Sequence, residues 1–231
     1  PMTALNPLHT VGHQVAEPLR IHKGMHREAA RKEALRLLDR VGIPDAAKRL
    51  DAYPHQFSGG QRQRITIAMA LACGPDVLIA DEPTTALDVT VAGQILQLIR
   101  ELVQERGMGL ILISHDLGMI AQNVGRMMVM YGGTVVEHGT TREVFMGRAH
   151  PYTQGLFASR PSLLTSHQAG PVVRQRLPAI PGSVPELHRL PPGCPFAGRC
   201  AMALDNCASH APTPVQLSTT HSARCVWVKP T

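Results

Sequence analysis

The sequence predicts an α/β protein, and two kinds of segment in residues 1–145 carry that prediction. Short aliphatic runs at 77–80 (VLIA) and 110–114 (LILIS) have the length and residue types of buried parallel strands. Stretches at 26–41 and 90–106 carry apolar residues at helical spacing and alternate with the strands. Strands that alternate with helices are typical of a parallel sheet covered by helices.

The ends of the predicted elements have their own signals. Gly42 follows the first helical stretch and Gly107 the second, as expected for helix C-termini. Between them, residues 53–61 (YPHQFSGGQ) predict a loop with paired glycines, and residues 61–72 predict a helix. Aliphatic runs on either side of a Gly-Gly pair predict a β-hairpin at 127–137.

The composition changes near residue 146. Basic and acidic side chains balance in residues 1–145, whereas residues 146–231 carry eight Lys or Arg against two acids and hold 12 of the 19 prolines. The basic residues are spread singly with few aromatics between them, so we interpret them as solvated surface and expect no nucleic-acid partner. No apolar run reaches the roughly 18–20 residues of a membrane-spanning helix.

Polar side chains follow both predicted strands. The first strand leads into Asp81 and Glu82, and the second into Ser114, His115 and Asp116. Ligands of parallel sheets bind beyond the carboxyl ends of the strands. An Asp there can hold Mg²⁺ through water, and a second carboxylate can orient or deprotonate an attacking water. The pattern favours a nucleotide hydrolase.

Four motifs, in matching order and spacing, resemble those of the ATP-binding-cassette (ABC) ATPases. Residues 57–61 (FSGGQ) resemble the signature motif and residues 77–83 (VLIADEP) the Walker B strand. Residues 86–88 (ALD) resemble the D-loop and residues 113–116 (ISHD) the switch-histidine loop. The resemblance implies a partial ABC-type P-loop NTPase fold.

The resemblance implies that the signature motif completes the ATP site of a partner subunit. Its glycines let the backbone approach a phosphate, and the following helix offers its N-terminus to the anion. The residues that would bind ATP in this way are Ser58, Gly59, Gly60 and Gln61. Asp88 of the D-loop would couple the two sites across the dimer. The structural alternative for SGGQ is an ordinary turn.

For the strand ends, the resemblance implies Mg²⁺ and catalytic roles. Asp81 would hold Mg²⁺ through water, and Glu82 would be the catalytic base or water-orienting group. His115 would contact the γ-phosphate of ATP and sense its loss. The structural alternatives are a helix cap for Asp81 and an imidazole with satisfied hydrogen bonds for His115.

The phosphate loop G-x-x-x-x-G-K-[ST] is missing, because none of the four lysines is preceded by Gly or followed by Ser or Thr. The chain begins PMTALNP, which resembles the stretch just beyond the family's glutamine loop. We therefore expect an N-terminally truncated fragment in three parts. These are a helical subdomain ending in the signature (1–62), the Walker B, D-loop and switch-histidine half of the nucleotide-binding core (63–145), and an irregular Cys-rich C-terminal extension (146–231).

The extension narrows the resemblance to the oligopeptide/dipeptide importers, through HPYTQGL (150–156), IPGSVP (180–185) and GCPFAGRC (193–200). This implies an ATP-hydrolysing subunit at the cytoplasmic face of the inner membrane, using ATP and Mg²⁺. Its partners would be a second ABC ATPase subunit, two transmembrane permease subunits and, indirectly, a periplasmic or extracellular peptide-binding protein. The alternatives are a nickel or glutathione importer of the same family, or a non-catalytic remnant. An ABC ATPase of DNA repair is disfavoured, since no sustained heptads are present.

The extension also holds four cysteines, Cys194, Cys200, Cys207 and Cys225, whereas Cys73 stands apart and is expected to be a small buried residue. In an extracellular domain the four would indicate two disulfides. Because residues 1–145 resemble a cytosolic protein, we expect metal or cluster ligation instead. C-x2-C pairs typical of zinc are absent, and some members of the resembling group carry a [4Fe–4S] cluster here. We therefore favour [4Fe–4S] over Zn²⁺.

Overall fold

A computed structural model of the chain describes residues 4–159 and 178–230, which divide into two compact units, one ending at Asp116 and the other beginning at Leu117. The first unit contains α1 (Val11–Lys23), α2 (Arg27–Arg40), α3 (Ala46–Arg49), α4 (Gly59–Leu71), β1 (Val77–Asp81), α5 (Val89–Arg106) and β2 (Gly109–Ile113). The second contains α6 (Leu117–Asn123), β3 (Arg126–Tyr131), β4 (Thr134–Thr140), α7 (Thr141–Gly147), α8 (Pro151–Ala158), β5 (Val215–Gln216) and β6 (Ser222–Ala223). None of the helices in the described ranges is long and apolar enough to cross a membrane.

The two helices predicted from periodicity are confirmed. In α2 and just beyond it, the predicted stripe is at most 2% exposed and consists of Ala30, Ala34, Leu37, Leu38 and Val41. Helix α5 begins after Asp88, whose carboxylate accepts a hydrogen bond from the Val91 N–H, and ends at Gly107 in the left-handed conformation. Burial of its apolar stripe defines α2, and capping at both ends defines α5.

The paired glycines lie in the first turn of α4, so the prediction of a loop through residue 61 is wrong. The Ser58 hydroxyl accepts a hydrogen bond from the Gln61 N–H, and the Gln61 side chain accepts one from the Ser58 N–H. This reciprocal capping box satisfies two backbone donors at the helix start and offsets the low helix propensity of glycine. A 3₁₀ turn at Pro54–Gln56 precedes it.

Strands β1 and β2 pair in parallel, from Val77 opposite Gly109 to Asp81 opposite Ile113. Leu78 and Ala80 face the core, whereas Ile79 is 63% exposed and Ile111 is 47% exposed. The predicted strands are confirmed, but burial on both faces is not. The helical core of the first unit meets one face only.

The second unit is built on a hairpin that the extension completes. Gly132 and Gly133 both have positive φ at the turn between β3 and β4, as a two-residue hairpin turn requires. Strand β6 then pairs with the far edge of β4, so the sheet order is β3-β4-β6-β5. The extension was expected to be irregular. Its described residues are indeed largely irregular, and they also contribute two short strands, helix α8 and 3₁₀ turns at Leu187–Arg189, Ala197–Arg199 and Asp205–Cys207.

Cys73, which was expected to be buried, is only partly buried. Helix α4 ends at Leu71, and Cys73 lies half-buried in the turn that follows. Its Sγ donates a hydrogen bond to the Pro18 carbonyl of α1 at 3.4 Å.

Candidate functional site

The strand ends bring Glu82 and His115 together, as the sequence predicts. Glu82 follows β1, and its N–H donates to the Ile113 carbonyl at the end of β2. This backbone bond aligns the two strand ends. His115 Nδ1 lies 2.8 Å from Glu82 Oε1, and the Thr85 hydroxyl donates to Glu82 Oε2 at 3.0 Å.

The pair is electrostatically coupled. Burial opposes ionisation of the Glu82 carboxyl, but the hydrogen bonds from His115 and Thr85 outweigh it and lower the Glu82 pKa. The hydrogen bond and charge of Glu82 in turn raise the pKa of His115. The carboxylate is therefore ionised at neutral pH and held by two donors, as an acceptor for a proton or an orienting group for water must be.

The backbone around this carboxylate is strained. Glu82 has φ +47° and Ala86 has φ +62°, in the left-handed region that costs a side-chain-bearing residue about 1–2 kcal/mol. Such outliers persist where the surroundings hold them, and they concentrate at functional sites. Sequence reasoning missed this feature and Thr85, since neither has a periodic or spacing signal.

The signature segment contacts the helix that follows the D-loop. A Cβ added at Gly60 would lie 2.6 Å from Val91 Cγ1, so the start of α4 and the first turn of α5 are in close contact. Val91 is also the residue whose N–H the Asp88 carboxylate caps. Asp88 thus acts as the helix cap in this structure, and Asp81 lies exposed at the last position of β1.

Two family models match the chain. One is described as the ABC transporter family and matches residues 3–85, and the other as the oligopeptide/dipeptide transporter C-terminal region and matches residues 136–207. A protein of Brucella melitensis biotype 1 named as a peptide import ATP-binding protein is 50% identical over 228 residues, which are 98% of this chain and 67% of that protein. A second such protein, from Brucella abortus, is 51% identical over 97% of this chain and 65% of its own length. The chain belongs to the oligopeptide/dipeptide group of ABC transporter ATP-binding proteins.

Solved structures agree with this assignment. This chain matches two dimeric structures of the cassette MJ0796 with a TM-score of 0.52. One is a post-hydrolysis state bound to ADP and Pi at 33% identity, and the match covers 60% of each chain. The fold is therefore a partial ABC-type NTPase fold. The chain spans about two thirds of the length of its curated relatives.

The four cysteines of the extension line one cavity in the second unit. The residues that line this small cavity include Cys194, Cys200, Cys207, Cys225, His150, Phe196 and Trp227. Cys194 and Cys207 also meet through the backbone, because the Cys194 N–H donates to the Cys207 carbonyl at 2.7 Å. In the described ranges, however, no group of three or more His, Cys, Asp or Glu is placed to hold a metal ion.

The cavity favours the protonated thiol form of its cysteines over the thiolate form. Burial raises the pKa of the Cys194 and Cys225 thiols, and the neighbouring cysteines raise both further. The four cysteine sulfurs are suitable donors for a soft metal or a cluster, and no carboxylate lies on the wall.

A buried polar network next to this cavity has no sequence signal. The Glu137 carboxylate is fully buried and accepts hydrogen bonds from His221 Nε2 and from the backbone N–H groups of Ala149 and His150. Burial lowers the pKa of His150 to about 4, so its ring is neutral. Glu137 thus joins β4, the start of α8 and the last part of the extension.

Proposed function

We propose that this chain is part of the ATP-hydrolysing subunit of an importer for di- or oligopeptides. The observation that carries the proposal is the Glu82–His115 pair, at the point where an ABC ATPase needs a water-orienting carboxylate and a γ-phosphate sensor. The names of the relatives, peptide import ATP-binding proteins, supply the substrate class.

The chain's own residues would divide the work in a dimer. Ser58, Gly59, Gly60 and Gln61 begin a capped helix whose N-terminus would face the phosphates of ATP bound by the partner subunit. The exposed Asp81 carboxylate is an oxygen ligand of the kind that Mg²⁺ takes, directly or through water. Bound Mg²⁺ would neutralise the phosphate charge that develops during hydrolysis.

Glu82 would orient or deprotonate the attacking water, with Thr85 and His115 holding its carboxylate. His115 would exchange its bond to Glu82 for one to the γ-phosphate of ATP and so report its presence. Asp88, at the start of α5, would carry the state of one site to the other through the D-loop. The phosphate loop is not among the 231 residues, so these groups form half of a composite site.

The remaining partners follow from the same proposal. A second ABC ATPase subunit and two transmembrane permease subunits would bind the chain at the cytoplasmic face of the inner membrane, with a periplasmic or extracellular peptide-binding protein upstream. Residues 1–62 would form the helical subdomain, 63–145 the nucleotide-binding half and 146–231 the importer-specific extension. A nickel or glutathione importer has the same ATPase chemistry and is the second candidate.

Substrate uptake in cells tests the proposal. Cells lacking the gene, complemented with the full reading frame, should take up labelled di- or oligopeptides, and Glu82→Gln should abolish that uptake. Glu101→Gln, an exposed carboxylate on α5, is the matched control and should leave uptake unchanged. Rescue of nickel or glutathione uptake alone would overturn the peptide assignment.

We further propose that Cys194, Cys200, Cys207 and Cys225 hold one metal centre, a [4Fe–4S] cluster in preference to Zn²⁺. Their common cavity and all-sulfur donor set support this. Anaerobic purification should yield a brown protein with iron and sulfide near four each per chain. Stoichiometric zinc in a colourless protein would show that the site holds Zn²⁺ instead of a cluster. A purified protein with neither iron nor zinc would show that the four cysteines do not form a metal site.

A further inference from the structure

The two oxygens of the Glu82 carboxylate are held by two different kinds of partner. Oε1 lies 2.8 Å from His115 Nδ1, and Oε2 accepts a hydrogen bond of 3.0 Å from the Thr85 hydroxyl. His115 belongs to the segment after β2, and its side chain is 81% exposed, whereas the Glu82 side chain is 32% exposed. The histidine can therefore swing into solvent and exchange Oε1 for another ligand without disturbing packed neighbours.

Thr85 is a different kind of partner, because it belongs to the same tight turn as Glu82. Its backbone N–H donates to the Glu82 carbonyl at 3.2 Å, so a backbone bond accompanies the side-chain bond. The turn itself is anchored. The Glu82 N–H donates to the Ile113 carbonyl at 3.0 Å, and Pro83, which follows, is buried and has the restricted φ of proline. The Thr85 hydroxyl consequently stays beside Oε2 whether or not His115 is in place.

This difference between the partners gives the two oxygens different roles. Both oxygens of an ionised carboxylate accept hydrogen bonds, whereas a hydroxyl has a single proton to donate. The Thr85 proton is used on Oε2, so the oxygen that becomes available when His115 leaves is Oε1. The terminal torsion of a Glu side chain is soft, and without Thr85 the carboxylate would be free to turn. A misplacement of about 1 Å in such a group can cost on the order of 10²-fold in rate.

We propose that Thr85 is a positioning residue of this site, whose hydroxyl holds Oε2 and so presents Oε1 to the attacking water once His115 has moved to the γ-phosphate. This inference rests on the proposed function and adds which oxygen does the work. The same bond has an electrostatic effect. Burial opposes ionisation of Glu82, and the hydrogen bonds from His115 and Thr85 lower its pKa. Loss of the Thr85 hydroxyl should therefore move the ionisation of Glu82 to higher pH.

ATP turnover by the full-length protein, measured across pH, tests the proposal. Thr85→Val replaces the hydroxyl by a methyl group, Thr85→Ser keeps it, and Thr213→Val makes the same exchange at an exposed threonine of the second unit. We expect Thr85→Val to lower kcat about tenfold, as the loss of one hydrogen bond to a charged group predicts, with the KM for ATP unchanged. The acid limb of its pH–kcat profile should move to higher pH. Thr85→Ser and Thr213→Val should keep the wild-type kcat and acid limb.

The outcomes separate this inference from the proposed function. If Glu82→Gln turns over ATP at the wild-type rate, the role of Glu82 is wrong and the inference fails with it. If Glu82→Gln is inactive but Thr85→Val keeps the wild-type kcat and acid limb, the role of Glu82 stands and that of Thr85 is wrong. A Thr85→Ser variant as slow as Thr85→Val would also overturn the inference, since the hydroxyl would not be the cause. Should Thr85→Val not fold, Thr85→Ala takes its place with the same expected results.

Discussion

Replacing Glu137 by Gln tests the buried network of the second unit most severely. The carboxylate is fully buried and accepts two backbone hydrogen bonds of 2.8 and 2.9 Å and a third bond from His221. Glutamine is nearly the same size, so the change creates no cavity. It replaces one acceptor oxygen with an NH₂ group that faces a buried donor.

The expected loss follows from those partners. A buried donor left without an acceptor costs about 1–3 kcal/mol, and hydrogen bonds to the charged group are themselves worth about 1.5–3 kcal/mol. We therefore expect Glu137→Gln to lower the free energy of unfolding of this unit by about 3 kcal/mol. The loss should be partly relieved in the double variant with His221→Asn, because the two residues share one bond.

Denaturant unfolding followed by Trp227 fluorescence measures this, since Trp227 is the single tryptophan of the chain and lies in the second unit. Glu186→Gln removes an exposed carboxylate in the same unit and should change stability by less than about 0.5 kcal/mol. A loss below about 1 kcal/mol for Glu137→Gln would refute the view that this carboxylate holds the extension in place.

Three further predictions concern the first unit, and a fourth concerns the whole chain. The pKa of His115, followed by NMR, should lie above about 6.5 and fall towards that value in Glu82→Gln; no change would contradict the pairing. The stabilisation from this pair is full between about pH 4.5 and pH 6.5, the ordinary pKa values of the two groups. It is lost as pH rises through the raised His115 pKa and as pH falls through the lowered Glu82 pKa. Gly93 faces open space on α5, so Gly93→Ala should stabilise the chain by about 0.5–1 kcal/mol. Gly60→Ala should not stabilise it, because the added Cβ would meet Val91. Equal urea midpoints for the two variants would refute the contact between Gly60 and Val91. The 231-residue chain alone should show no saturable ATP binding by calorimetry, since it lacks the phosphate loop.

Local signals were sufficient for much of the first unit. Apolar stripes and glycine stops located α2 and α5, and the parallel pairing of β1 with β2 follows from their residue types and the helix between them. The start of α4 was misplaced because two glycines outweighed the capping box in the prediction, although Ser58 and Gln61 are at the right spacing for one.

The second unit depends on contacts that no local pattern contains. Glu137 meets His221 across 84 residues of sequence, and β6 adds to β4 over a similar distance. The four cysteines could be grouped from the sequence alone, because they lie together in the extension. Their shared cavity and the His150 ring on its wall emerge only from the three-dimensional fold.

The most direct test of the central claim is ATP turnover by the full-length protein carrying Glu82→Gln, with ATP affinity measured on the same sample. Glu82 is ionised, held by His115 and Thr85, and placed at the end of β1 beside Asp81. Removal of a positioned base should lower turnover by on the order of 10²-fold or more and leave ATP affinity unchanged. Turnover within a few-fold of the wild type would contradict the account of this site.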